Sequence, residues 1–470
     1  MLHLCRGPIF TPSELERIEE GAIRILEQVG VRVLHDGVRE TTRRAGFAFR
    51  GDRALVERSR VRAFLDAERA RNGNLSGPEE DRPPAGPLTL GVSQYSEYRH
   101  DVETDRIVPF TAETLIEATK IVDGLAEDGI RAGAPGTPMD VAPELQSVAC
   151  YWTSLTYSRH GQHPLDPRSV AAHRYVMEMA ACVGRPIKVL PVYVVSPLCL
   201  GGLTLDAVLA FRDRITTAWV VSMPSLGATA PIGVGDAYAV STAEIVGSAI
   251  ILKEITDLEI GWEVQMFPFD LRRTSIVFGS PENFLLQLAT AEVNAFLHGT
   301  RWTPAAANIH TMAKVPGPQA AAEKASLMTT GALLGARHFV HAGTLSLDEV
   351  FSPEQLVIDC EIRDHVAHLV GGLDGDCDPD GCAADVAEGI ERGFMGLDST
   401  VAGYRSACWY PRLFERGLLG SWREAGSPDI RPAARERVRA ALARHDFALP
   451  ADVQREIDRI YARAKTELVR

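Results

Sequence analysis

Near the start of the chain, hydrophobic residues recur at helical spacing. Leu15, Ile18, Ala22, Ile25, Leu26 and Val29 share one face, Thr11, Pro12 and Glu14 spell a capping box with proline at the first helical position, and Gly30 stops the run. A second short helix is predicted from Asp36 to near Gly46 and a third over 53–72. Residues 73–88 are rich in Gly, Pro and acid, the pattern of a linker or surface loop, and 89–111 alternate like a small β hairpin. The expected organisation is therefore an N-terminal helical cap and linker over 1–88, followed by a hairpin over 89–111.

From residue 112 the texture changes to short apolar runs that alternate with helical stretches. Strands are predicted at 130–134, 187–195, 217–224, 259–267, 303–309 and 337–345, and helices at 142–158, 168–183, 204–214, 235–255, 281–299, 317–335 and 353–370. Repeated βα units imply an α/β fold with a parallel sheet, and their number favours a (β/α)8 TIM barrel over 112–427. The missing G-x-G-x-x-G weakens a dinucleotide-binding sheet. A charged helical extension, 428–470, is expected to pack outside.

The chemistry expected of such a fold sits at strand ends and the loops after them. The stretch 300–333 is the clearest junction: small residues, then His310 and Thr311, then a Pro/Gly bend and an alanine-rich helix. His341 falls in the next predicted strand, 337–345. Glu263 and Gln265 alternate with Trp262, Val264 and Met266, so the polar pair is expected to face the barrel interior. Phe267 and Trp302 are aromatic candidates near strand ends, Arg272 lies beside one, and Tyr95 and Glu97 come from the hairpin. His310 is the candidate catalytic residue. Tyr95, Glu97, Glu263, Gln265, Phe267, Arg272, Trp302, Thr311 and His341 are the candidates for substrate binding.

Composition narrows this picture. With 46% hydrophobic and 24% charged residues the chain is an ordinary globular one, and its net charge of −13 argues against nonspecific binding to nucleic acid or anionic membrane while suiting a cationic ligand. No apolar run approaches the roughly 18 residues of a membrane span, and no secretory h-region is evident, so a cytoplasmic protein is expected. Eight scattered cysteines without a CxxC pair make a disulfide framework or zinc ribbon improbable. Glu361, His365 and His368 fall on one helical face and form a chemically adequate zinc set, but mid-helix placement favours a packed or solvated face. A calcium loop at Asp376, Asp378 and Asp380 fails because its twelfth position is Ala387. No G-x-S-x-G or P-loop is present, so a cofactor supplying the reactive atom becomes the natural expectation.

Several stretches resemble one family across nearly the whole chain. SLGATAPIG at 225–233, DLRRTSIVFGSPENFLLQLATAE at 270–292, MAKVPGPQAAAEKA at 312–325 and SPEQLVIDCEI at 352–362 are similar to segments of the trimethylamine methyltransferase family, as are LERIEEGAIRILEQVGV and YPRLFERG. The resemblance implies a (β/α)8 barrel that moves a methyl group from a methylated amine to the corrinoid (cobalamin) of a separate small protein, with no tightly bound cofactor of its own. The family's trimethylamine enzymes hold pyrrolysine just before a segment like AKVP. Matching that segment to 313–316, Gln319 and Glu323-Lys324 places His310 at or next to the pyrrolysine position, as in the non-pyrrolysine branch that uses glycine betaine and related quaternary amines. Met312 and the stretch 398–400 depart from the family's usual aspartate and histidine-containing pattern. The implied partners are a cognate corrinoid protein and a small methylated amine, with the chain as a homo-oligomer and no nucleic-acid or membrane contact. Zinc-assisted transfer from an oxygen or sulfur substrate, and non-catalytic quaternary-amine binding, stay open as alternatives.

Overall fold

A computed structural model describes residues 8–76, 86–161, 163–301, 307–372, 375 and 377–469. The first helix, Pro12–Gln28, starts at the expected box: Thr11 accepts from the Glu14 backbone N–H while the Glu14 carboxylate accepts from the Thr11 N–H. Its buried face, Ile18, Ala22, Ile23 and Leu26, packs on the long helix Val234–Ile255. That second helix is the only one among the described residues long and apolar enough to cross a membrane, and 78% of its apolar window is buried inside the fold.

Two parallel arcs form the middle of the molecule. In one, Val189–Val194, Thr217–Ser222 and Glu259–Trp262 lie side by side in register, and Ser225 bridges Phe267 further along. In the other, Ala307–Asn308, His338–Val340 and Thr89–Leu90 are parallel neighbours, with Leu90 bridged to Ile130. Among the described residues the hydrogen bonding does not join the arcs, so the α/β class stands while the expected closed ring is not seen. One gap coincides with segment 163–168, which has no regular secondary structure and in which Pro164 and Pro167 have no N–H to donate to a ladder. The other lies between Trp262 and Ala307.

Alternation along the first arc is clean. Leu190, Val192, Val194, Ala218 and Val220 are buried beneath helices, whereas Val189, Val195, Trp219 and Met223 on the opposite face are exposed. That opposite face is thus partly open and carries apolar residues. Helices match the sequence expectation within a few residues, including Gln146–Tyr157, Val170–Cys182, Pro281–His298, Pro318–Leu333 and Pro353–Gly371. Strands are shorter than expected. The 259–267 run leaves the sheet after Trp262 because the Asn294 amide takes both the N–H and the carbonyl of Val264, each at 2.8 Å. The 337–345 run breaks at His341, whose φ is 72°.

The hairpin Tyr98–Asp101 and Arg106–Pro109 extends a small sheet with Val350–Phe351 and Thr344–Leu345. At the C-terminal end of the chain, Ile430–Arg444 packs on Ala112–Gly124 and Pro353–Gly371, and Ala451–Leu468 on Gln146–Tyr157 and Val170–Cys182. At the first of these contacts a Cβ built on Gly124 would stand 2.0 Å from the Ala441 carbonyl oxygen. Only glycine lets the two helix backbones approach this closely. Gly124→Ala is therefore expected to lower stability by about 2 kcal/mol through overpacking, measured as a fall in urea midpoint at unchanged slope; an unchanged midpoint means the helices separate without cost.

Candidate functional site

The strand Ala307–Asn308 leads through Ile309 into His310 and Thr311, and the helix Pro318–Leu333 returns over them. Glu323, one turn into that helix, holds the loop: its carboxylate accepts the Thr311 hydroxyl, the Met312 N–H at 3.0 Å and the Gln319 amide at 2.8 Å. Gly279 lies against the same carboxylate with φ 74°; a Cβ there would come within 2.6 Å of Glu323 Oε2 and 3.0 Å of the His310 carbonyl. Side chains disfavour this backbone conformation, and the space is already taken.

The neighbouring strand ends in a turn carrying His341, and three non-glycine residues there have positive φ: His341, Ser346 and Leu347. Strain of this kind persists only where the surroundings enforce it. Enforcement comes from Lys324, fully buried, whose Nζ donates to the His341 carbonyl and to Asp359 Oδ2, both at 2.9 Å. Asp359 Oδ2 also accepts the Gly343 N–H at 2.7 Å, and Gln355 donates to its other oxygen at 2.8 Å. Burial lowers the Lys324 ammonium's pKa, while the adjacent Asp359 acts in the opposite direction.

The geometry brings His310 and His341 face to face, ring centroids 3.4 Å apart at 29°. Phe278 stacks on the far side of His310 at 4.1 Å, and Phe267 meets Phe278 edge-on at 5.7 Å. Four rings from three chain segments therefore form one column at the ends of parallel strands. Burial pushes His341 down to about 3, with the Lys324 charge adding to the effect. Burial, then His341 and Lys324, hold His310 well below the usual histidine range. Both imidazoles are neutral at pH 7, and Nδ1 of each is buried without a hydrogen-bond partner. Such atoms are costly to bury unless something satisfies them.

Glu263 and Gln265 are half-buried and joined to each other at 2.5 Å, on the face opposite the buried Trp262, Val264 and Met266. Glu97 is exposed, and Arg272 is exposed in the turn of a small hairpin, its N–H on Asp270 Oδ1 at 2.7 Å. Trp302 lies outside the described residues. Tyr95 donates to Asp166 Oδ2 at 2.5 Å, and Tyr193 donates to the same oxygen at 2.8 Å. Burial and the Asp166 charge raise the pKa of both phenols. Asp166 and Tyr193 line a 650 Å³ cavity beside the first arc. Sequence reasoning missed Asp166, Tyr193, Phe278, Lys324 and Asp359; an acid flanked by prolines in an extended stretch was the available signal for the first.

Potential metal ligands are otherwise engaged. Glu361 Oε1 accepts the backbone N–H groups of Arg412, Leu413 and Phe414 at 2.9–3.1 Å, while the His365 ring packs edge-on against Trp409. His100, Asp105 and Glu354 have metal-like spacing, but Arg431 and Arg435 pair with both carboxylates.

The depressed histidines carry a pH dependence. His341 titrates near 3 in the fold and near 6.5 when free, so the unfolded chain binds more protons between these values. Stability from this residue is complete above pH 6.5 and is lost as pH falls toward 3, at about 1.4 kcal/mol per pH unit. His341→Asn, which tolerates the left-handed backbone, is expected to flatten that part of a denaturation-versus-pH curve; an unaltered slope means the imidazole is not buried neutral.

Comparison with known proteins places the chain. The family model for trimethylamine methyltransferase matches residues 4–469. Trimethylamine methyltransferase MttB2 of Methanosarcina mazei is 30% identical over 252 residues, 52% of this chain and 49% of that protein, so the chain spans about half the length of that relative. Glycine betaine methyltransferase of Desulfitobacterium hafniense is 22% identical over 429 residues, 88% of each chain. The solved monomethylamine methyltransferase MtmB of Methanosarcina barkeri superposes with a TM-score of 0.40 and 11% identity, covering 95% of this chain and 94% of that one. Matched from residue 4 to residue 469, the chain belongs to the trimethylamine methyltransferase family.

Proposed function

We propose that this protein transfers a methyl group from a quaternary, or tertiary, methylated amine to the Co(I) corrinoid of a separate corrinoid protein, on a (β/α)8 barrel of which the two parallel arcs are parts. The observation that carries the reading is the column of Phe267, Phe278, His310 and His341, two neutral imidazoles and two phenyl rings, in which His310 is, by the resemblance of 313–316, at or next to the family's pyrrolysine position. The likeness to a glycine betaine methyltransferase over most of both chains supports a quaternary amine as donor.

The chemistry suits these residues. The corrinoid is a co-substrate whose electron-rich cobalt supplies the nucleophile: its electron pair forms the new bond to the methyl carbon, and the C–N pair stays on nitrogen. A quaternary ammonium leaves as a neutral tertiary amine, so no proton needs to be delivered. Imidazoles held neutral by burial are poor acids and need not act as such. Their work is to desolvate the cation, orient one methyl and exclude water, all positioning effects. His310 is covered on both faces by His341 and Phe278, so what the two histidines offer for this purpose is their partnerless Nδ1 atoms, and the exposed Val195 and Met223 at the ends of the first arc leave apolar surface for a flat macrocycle.

The test mixes purified protein, its cognate corrinoid protein reduced to Co(I), and glycine betaine, carnitine, choline or trimethylamine in turn, following the visible spectrum of the corrinoid. Methylation with a quaternary amine is expected, and His310→Ala is expected to lower kcat/KM roughly 100-fold by loosening the donor. No methylation across the panel overturns the reading.

A further inference from the structure

A second cavity, of 420 Å³, lies where the segment 163–167 passes the beginning of the strand Val189–Val194. Its volume is within the about 300–1,000 Å³ typical of small-molecule sites. Parallel α/β folds meet their substrates at the C-terminal ends of the strands. This cavity is lined by 185–191, at the opposite end of its strand, so its occupant is not the methyl donor. Pro164, Pro167, Pro186, Pro191, Leu165 and Leu190 give it apolar walls, and proline rings pack well against planar rings.

One polar group on these walls is unused. His173, from the helix Val170–Cys182, is 1% exposed and tilted over Phe211 at 5.9 Å, and neither its Nδ1 nor its Nε2 has a hydrogen-bond partner among the described residues. Burial pushes the ring down to about 4. At pH 7 it is therefore neutral, with one N–H to donate and one bare nitrogen to accept. Leaving both unmet is costly, which favours an occupant that meets one of them. No charge adds to the shift, so the cations of the cavity stand away from the ring.

Those cations are Arg185 and Lys188, both exposed at the mouth. Their backbones are fixed: the Arg185 N–H donates to the Ala180 carbonyl at 3.0 Å, and the Lys188 carbonyl accepts the N–H groups of Thr216 and Thr217 at 2.9 and 3.1 Å. Their charges are not neutralised. Among the described residues neither pairs with a carboxylate, and Lys188 Nζ donates only to the Arg214 carbonyl, at 3.2 Å. The one acid lining the cavity, Asp166, is engaged by the hydroxyls of Tyr95 and Tyr193 at 2.5 and 2.8 Å.

We propose that this cavity binds a small ring-bearing carboxylate, with Arg185 and Lys188 holding the carboxylate at the mouth, the prolines flanking the ring and His173 hydrogen-bonding a hydroxyl at its far end. The site is independent of the methyl-transfer reading. Its ligand ties the segment 163–167 to the neighbouring strand across a gap that no ladder closes, and acts as an effector in place of a substrate.

Titration calorimetry on the full chain tests this at low salt, with 4-hydroxybenzoate, benzoate and 4-hydroxybenzamide as probes. 4-Hydroxybenzoate is expected to bind saturably, benzoate about fivefold more weakly for want of the hydroxyl, and the uncharged amide at least about tenfold more weakly. The double variant Arg185→Gln, Lys188→Gln is expected to raise the Kd of both carboxylates about tenfold; both side chains are exposed, so the thermal midpoint should not move. His173→Phe is expected to bring 4-hydroxybenzoate down to the affinity of benzoate while leaving benzoate within about twofold; should that variant not fold, the probe series and the double variant decide. No saturable binding of 4-hydroxybenzoate, equal affinity for carboxylate and amide, an unaltered Kd in the double variant, or displacement of the probe by excess glycine betaine overturns the proposal. Failure of methyl transfer bears only on the reading above, because none of these measurements involves the corrinoid protein.

Discussion

The site depends on one ammonium and one carboxylate that no water reaches. Lys324 and Asp359 come from two helices, and the pair closes over the turn that carries His341. Buried ion pairs are poor sources of stability, since desolvation offsets most of their attraction, but removing either partner strands a charge. The pair is therefore better understood as a geometric constraint. It fixes where the strand His338–Val340 stops, holds His341 in a backbone conformation it would not choose, and sets the ring against His310. The Lys324 charge also disfavours a positive charge on either imidazole.

Periodicity made the helices legible because each buries a stripe broad enough to show in one sequence. Capping at Thr11 and the proline starts at Pro281, Pro318 and Pro353 marked their beginnings. Strand extent was not legible, because what ends these strands is tertiary. The Asn294 amide that takes Val264 out of the ladder lies 30 residues away in sequence, and the break at His341 is imposed from two helices. Ring closure of the sheet was inferred from the number of βα units, and a count says nothing about whether proline-bearing segments can complete a ladder.

The candidate site divides in the same way. His310, Thr311 and His341 were visible as polar residues at strand ends. Lys324 and Asp359 were hidden because a charged residue on a helix is ordinarily solvated, and nothing local distinguishes the rare one that points inward. The segments that carried the family resemblance, around 312–325 and 352–362, contain Glu323, Lys324, Gln355 and Asp359. They are the supports of the two histidines, so the likeness reports scaffold more directly than substrate. Asp166 and Tyr193 escaped notice because they lie on an irregular segment and a strand face whose partners come from distant parts of the chain.

The helix Val234–Ile255 is apolar on nearly every side and is sealed on one flank by the helix Pro12–Gln28. Its middle carries Glu244, fully buried and committed to Ser196 Oγ and the Leu198 N–H, both at 2.7 Å. Were the first helix to detach, a long apolar surface would be uncovered. If heating opens that flank, inactivation is expected to depend on protein concentration and proceed through aggregation, with an unfolding rate in place of an equilibrium as the quantity that sets the lifetime.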